Sequence, residues 1–388
     1  MEYNFDEIIH RRGTTCVKWD EGIIDLGEEF LPMWVADMDF PCPVEVHKSI
    51  KKRAEHPIFG YTYANEEVYK LIIDRLKNKY GWYVEKDWIV FLPGVVDGIA
   101  TSINSFTKEN EGIIIQQPVY HPFALVPEAY NRKVLVNNLK ESECGYDMDL
   151  EDIKNIIKKE NPKMLILCNP HNPVGKVWSK NELEKLGEIC IENNILVVSD
   201  EIHSDIIYKG FKHTPFAAIS KEFEANSITL MAPSKTFNVA GLSQAFAVIP
   251  NKKLRDSFVR SRIGYNWGNV FGITSLEACY KYGDKYIEEL LCYLEKNIDF
   301  VEKYLKEKLP IVKMKRPEGT YLLWLDMRDL GMPQEELDRF LKEKVKVKFN
   351  SGNIFGKLGE GFQRMNIACP RSYIEECMQR LEKAINSL

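Results

Sequence analysis

The middle of the chain alternates short, fully apolar runs with segments of helical spacing. Lys163–Cys168 (KMLILC), Ile195–Ser199 (ILVVS) and Ser227–Ala232 (SITLMA) are continuous apolar stretches, and Gly112–Ile115 reads as one more. A strand covered on both faces loses the alternation of a half-exposed one, so these runs predict buried parallel strands. Between the first two, Leu183, Leu186, Gly187 and Cys190 keep helical spacing, which points to βαβ units. Upstream, Val68, Leu71, Ile72 and Leu76 mark the inner face of a helix over Glu67–Tyr80. A short strand at Trp88–Phe91 ends at Pro93-Gly94 and gives way to a helix from about Val96 to Phe106.

The last hundred residues follow a different pattern. A long helix over about Asp284–Leu309 leads into a strand-like, aromatic-rich Gly319–Asp326. A charged helix over Gln334–Lys344, short strands near Val345–Phe349 and Arg364–Ala368, and a final helix follow. The stripe Ile374, Cys377, Met378, Leu381 and Ile385 lies on one side of that last helix. The expected architecture is α/β: a large domain with a mostly parallel central sheet flanked by helices, plus a smaller α+β domain. The boundaries expected are an N-terminal arm over 1–45 that adds to the small domain, a large domain over 46–283, and a small C-terminal domain over 284–388.

Length and charge narrow the classes. A chain of 388 residues suits two domains rather than one core. Its net charge of -5, with Lys and Arg spread throughout, gives no clustered basic surface for nucleic acid. Nine cysteines, an odd number without a CxxC pair, give neither a disulfide framework nor a zinc site. No apolar run approaches the ~20 residues that span a bilayer. The N-terminus lacks the basic start and apolar stretch of a signal peptide, so a cytoplasmic protein is expected.

Chemistry gathers at three successive strand ends. Ala232-Pro233-Ser234-Lys235-Thr236-Phe237-Asn238 follows one buried run, Asp200-Glu201-Ile202-His203 ends the one before, and Asn169-Pro170-His171-Asn172-Pro173-Val174-Gly175 the one before that. Taken singly, Lys235 reads as a loop lysine, Asp200 as a turn or cap acid, and Asn172 as a turn former before proline. Together they offer an amine, an acid and an amide to the crevice where parallel sheets bind ligands.

With these motifs the sequence resembles the fold-type I, aspartate aminotransferase-like enzymes that use pyridoxal 5'-phosphate (PLP), over nearly the whole chain. The resemblance implies Lys235 as the Schiff-base lysine and the base for the α-proton, Asp200 as partner of the pyridine nitrogen, and Asn172 as partner of the phenolic oxygen. It implies Tyr120, in Pro118-Val119-Tyr120-His121-Pro122, as the stacking aromatic, with a possible part in positioning or protonation at the β-carbon. The helix start at Gly94, Val95 and Val96 offers backbone N–H groups to the phosphate. Arg364, in Arg364-Met365-Asn366-Ile367-Ala368, is the implied partner of the substrate carboxylate.

Two positions depart from many relatives. Ala232 and Ser243 stand where a serine and an arginine usually hold the phosphate, which leaves Ser234, Ser243, the helix N-terminus and Tyr61 from a second subunit to compensate. His203 stands where aminotransferases carry a tyrosine at the cofactor oxygen. Met33-Trp34-Val35-Ala36-Asp37-Met38-Asp39-Phe40, FGYT around Tyr61, DEIHSD and PSKTFNVAG resemble the MalY/PatB-type branch of cystathionine β-lyases and related C–S lyases. In that branch Ala36 and Asp37 are expected near the substrate. The resemblance thus implies α,β-elimination from an L-cysteine S-conjugate such as L-cystathionine, a homodimer that shares Tyr61, and no metal. The alternatives are amino transfer on the same residues and, ranked lower, binding of a regulatory protein alongside catalysis.

Overall fold

A computed structural model describes residues 3–21, 30–143, 145–262 and 268–388. Its main sheet is built from β1 (Ile89–Leu92), β2 (Gly112–Gln117), β3 (Lys133–Asn138), β4 (Met164–Cys168), β5 (Leu196–Asp200), β6 (Ser227–Met231) and β7 (Ala245–Val248). They lie in the order β1-β7-β6-β5-β4-β2-β3. Strand β7 runs antiparallel to both its neighbours, and the pairs from β6 to β3 are parallel.

Strands β4, β5 and β6 are buried along their whole length because both faces are covered. On one face Ile113, Ile115, Ile166, Val198 and Leu230 pack with Ile99 and Ile103 of the helix Val95–Phe106. On the other, Ile114, Leu165, Leu167 and Val197 meet Leu183, Leu186 and Cys190 of the helix Lys180–Glu192. That second helix starts at a capping box between Ser179 and Glu182. It approaches its neighbour closely at Gly187, where an added Cβ would meet the Phe223 ring at 1.9 Å.

A second, antiparallel sheet holds β8 (Lys313–Met314), β9 (Leu322–Asp326), β10 (Asn350–Ser351) and β11 (Phe362–Asn366), in the order β8-β9-β11-β10. The helices Asp284–Lys308 and Arg371–Ile385 share an apolar cluster with it through Leu290, Leu294, Leu323, Met365, Cys377 and Leu381. Leu31–Pro32 pairs in parallel with Val347–Lys348, which ties the N-terminal segment to this side of the molecule.

Some elements differ from the sequence reading. The charged helix is α-helical only over Gln334–Phe340 and ends in a π-turn at Leu341–Val345, where Lys346 takes a left-handed φ of 59°. Strand β9 begins at Leu322, because Gly319 is bonded to Gly175 and Thr320 has a φ of 66°. The helices Val44–Ala54, Pro122–Ala129 and Leu150–Glu160 and strand β7 also form. Strand β7 reads Ala-Phe-Ala-Val, and its small residues give little hydrophobic contrast. Among the described residues no helix is long and apolar enough to cross a membrane, and no cluster of His, Cys, Asp and Glu could hold a metal ion.

Candidate active site

Parallel pairing brings the ends of β4, β5 and β6 level, with Cys168 opposite Asp200 and Asp200 opposite Leu230. Strand β1 reaches the same edge, since Leu92 pairs with Ala245 at the start of β7. The loops that follow these ends enclose a cavity of about 420 Å³. Lys235, Asp200, Asn172, His203, Tyr120, Gly94, Val95, Val96, Ser234, Ala36 and Arg364 all line it. Residues almost two hundred positions apart, such as Asn172 and Arg364, are hydrogen-bonded there at 3.0 Å.

The charges in this cavity are poorly matched. Burial pushes the Asp200 carboxyl up to about 7, against the opposing effects of the Ile202 N–H at 3.1 Å and the Lys235 amine. Burial, and then the Arg364 guanidinium, pull the Lys235 amine down to about 8. Its Nζ donates to the Ala36 carbonyl at 2.6 Å, which also accepts the Tyr321 hydroxyl at 3.0 Å. Arg364 is buried with no carboxylate in ion-pair range among the described residues, and burial lowers it to about 10. It donates to Asn172 Oδ1, to the Trp34 carbonyl at 3.1 Å and to Asn350 Oδ1 at 2.5 Å, while its Nε is left without a partner. His203, pulled down to about 3 chiefly by burial, is neutral, and its Nδ1 also has no partner.

The segment that carries Ala36 is clamped from both sides. Asn366 Nδ2 donates to the Val35 and Asp37 carbonyls at 2.6 Å each. Asn238, three residues after Lys235, bonds the Met38 N–H and the Met38 and Phe40 carbonyls. Below it, Asp39 is buried between Arg11, Lys18 and the Trp19 indole. The Asp37 carboxylate pairs with Arg11 at 2.5 Å and faces an adjoining hollow of about 500 Å³, which Lys235 also lines.

These groups could hold PLP. Asp200 lacks the cation that would keep it ionised, and a protonated pyridine nitrogen would supply one. Asn172 Oδ1 is engaged by Arg364, which leaves its amide N–H groups free for a phenolic oxygen. Gly94 offers no side-chain cap to the helix Val95–Phe106, and the Asp97 carboxyl turns back onto its own N–H, which leaves the Val95 and Val96 N–H groups for an anion. Ser243 is outside the cavity lining; its neighbour Gln244 reaches it, with a buried Oε1 that has no partner among the described residues. Tyr61 is 95% exposed and lies away from the cavity of its own chain.

The sequence reading passed over Trp34, His121, Gln244, Tyr321 and Asn350. Trp34 and His121 sat inside motifs already singled out, and Gln244 follows Ser243. Tyr321 and Asn350 carry no local signal; they arrive through the antiparallel pairing of β9, β11 and β10, which sets Asn350 opposite Arg364.

Comparison with known proteins gives a consistent picture. The family described as aminotransferase class I and II matches residues 23–381. Cystathionine beta-lyase PatB of Bacillus subtilis (strain 168) is 40% identical over 390 residues, covering 99% of this chain and 100% of its own. A PLP-bound protein of Clostridium difficile 630, provisionally named an aminotransferase, is 47% identical with a TM-score of 0.96, covering 99% of this chain and 100% of its own. Cystalysin from Treponema denticola, solved with a pyridoxal 5'-phosphate cofactor, is 36% identical with a TM-score of 0.97, and both chains are covered completely.

Proposed function

The chain belongs to the class I and II aminotransferase family, and from that premise we propose that it is a PLP-dependent C–S lyase. It carries out α,β-elimination on L-cysteine S-conjugates such as L-cystathionine, giving a thiol (homocysteine), pyruvate and ammonia. The observation that carries this reading is the meeting of Lys235, Asp200 and an anion-seeking Arg364 in one cavity.

PLP, when bound, supplies an electron sink for the pair left at the substrate's α-carbon. Lys235 anchors it and then removes the α-proton; its lowered proton affinity leaves a useful fraction as free amine near neutral pH. Asp200 would hold the proton on the cofactor's ring nitrogen, Asn172 would donate to its phenolic oxygen, and Tyr120 would cover the ring. His203, neutral and beside Tyr321, packs where a tyrosine stands in aminotransferases. Gly94, Val95, Val96 and Ser234 would take the phosphate, and Tyr61 of a second subunit would complete that end in a homodimer. Arg364 binds the substrate carboxylate, and Ala36 and Asp37 form the floor beneath the amine. The C–S bond breaks with its electrons on sulfur, and the released aminoacrylate hydrolyses to pyruvate and ammonia.

The same proposal divides the chain into an arm (1–45), a large domain (46–283) and a small domain (284–388), each sheet marking one domain. It places the enzyme in the cytoplasm, where its eight described free cysteines stay reduced.

The test is to supply the purified protein with PLP and L-cystathionine and to assay pyruvate, with Lys235→Ala as control. Pyruvate formation, and its loss together with the visible cofactor band in Lys235→Ala, supports the reading. Substantial lyase turnover in Lys235→Ala refutes it. The provisional name of the Clostridium difficile relative favours amino transfer as a second reading, because both reactions begin with the same proton removal. Amino transfer to an α-keto acid without pyruvate from cystathionine would decide for it.

A further inference from the structure

His121 lines the cavity and takes no part in the scheme above. It directly precedes the helix Pro122–Ala129, and its ring lies 4.9 Å from that of Tyr120 at 64°. Its Nδ1 is shut off from solvent and has no hydrogen-bond partner among the described residues. The charge that acts on it is Arg364, whereas Tyr120 feels both Arg364 and Asp200. His121 thus stands beside Tyr120 on the wall of the cavity, which Val17, Trp34 and Asn350 also line.

Elimination poses a problem at the departing sulfur. An alkyl thiol resembles the cysteine thiol, with a pKa of about 8.5, so it leaves far better as a thiol than as a thiolate when the site is dry. Lys235 is occupied with the α-proton. The Tyr120 hydroxyl is held above its ordinary value, chiefly by burial, and is a weak acid.

We propose that His121 hands a proton to the departing sulfur, which equips this cavity for unactivated alkyl thioethers of cysteine. The inference rests on the lyase reading. The C–S bond breaks with both electrons on sulfur, the imidazolium proton completes the thiol, and solvent returns a proton to the imidazole as Lys235 gives up the α-proton. Burial and Arg364 keep His121 below its ordinary value in the ligand-free site. A substrate carboxylate on Arg364 offsets the guanidinium's share of that lowering, the smaller of the two, so His121 gains proton affinity when a substrate is in place; the groups facing it are Arg364 and Tyr120.

The experiment compares L-cystathionine with β-chloro-L-alanine, whose chloride departs without a proton, in wild-type and His121→Phe enzyme loaded with PLP. General acid catalysis contributes roughly 100-fold or more, so His121→Phe should lower kcat/KM for cystathionine by about that factor. The ratio of kcat/KM for β-chloro-L-alanine to that for cystathionine should rise by at least ~30-fold. His121→Ala with added imidazole should recover part of the cystathionine activity, and it decides the matter where His121→Phe fails to hold cofactor. An equal fall on both substrates, or no fall on either, overturns the proposal. Wild-type enzyme that makes no pyruvate from either substrate overturns the lyase reading, and this inference with it.

Discussion

Removing the Arg364 guanidinium tests the substrate end of the site without touching the reacting bonds. Three of its five N–H donors are used by Asn172, Trp34 and Asn350, and the others, including that on Nε, remain for a ligand. A hydrogen bond to a charged group is worth about 1.5–3 kcal/mol, so two of them to a carboxylate give roughly 3–6 kcal/mol. The lower part of that range applies, because the guanidinium keeps its three protein bonds and must share its charge with them. At about 1.4 kcal/mol per tenfold, a loss of roughly 3–4 kcal/mol lowers kcat/KM by two to three orders of magnitude. The carboxylate is not a reacting group and is bound alike before and during reaction, so the loss should fall on KM more than on kcat. The assay is pyruvate release from L-cystathionine by Arg364→Leu, with the visible band of bound PLP confirming that Asn172 still holds the ring side. A fall smaller than about fivefold would refute the reasoning. So would an equal fall on a decarboxylated analogue, which has nothing to give Arg364.

Three further outcomes follow from the structure. Asp200 is raised to about 7 in the ligand-free site, so the folded protein holds that proton more tightly than the unfolded chain, and the stability from this group is present below about pH 4 and lost as pH rises through 7. Thermal melts of the ligand-free protein should show this decline, Asp200→Asn should flatten it, and a decline of the same size in Asp200→Asn would disprove the cause. Asp205→Ala leaves Arg75 and Lys79 without their buried partner and frees Thr236, next to Lys235, so it should cost about 3–5 kcal/mol in urea unfolding. Gly187→Ala drives a methyl group into the Phe223 ring and should cost roughly 1–3 kcal/mol; an unchanged melting temperature would show that the two helices can part freely.

Local chemistry made much of this protein readable, and distance in sequence hid the rest. The buried strands declared themselves because a strand covered on both faces must be apolar throughout, and β4, β5 and β6 fall within a residue of their expected limits. Their ends carried Asn172, Asp200 and Lys235, and parallel register alone brings these level. Tyr321 and Asn350 could not be read in the same way. Their neighbours are chosen by antiparallel pairing in the second sheet and by the contact of that sheet with the cavity, and neither leaves a spacing in the sequence. The sequence placed Asp37 near the substrate but gave no partner for it or for Asp39, two acids among apolar residues; the partners are Arg11 and Lys18, some twenty residues earlier.

The conflict of charges in the cavity has a consequence of its own. Asp39, Asp205 and Glu201 are buried acids with partners from the protein: Arg11 and Lys18, Arg75 and Lys79, and His213, respectively. Asp200 and Arg364 are buried too, yet among the described residues neither has an opposite charge at contact distance, although the other buried acids of the same core do. A buried charge without a partner costs stability, and that cost falls away when a ligand brings the missing charge. A cationic ring nitrogen would serve Asp200 and an anionic carboxylate would serve Arg364, at separate places in one cavity. Each ligand should raise the melting temperature by itself, and the second should do so in Asp200→Asn as well. If an amino acid without a carboxylate stabilised the PLP-loaded protein as much as one with it, the carboxylate would not be what Arg364 awaits.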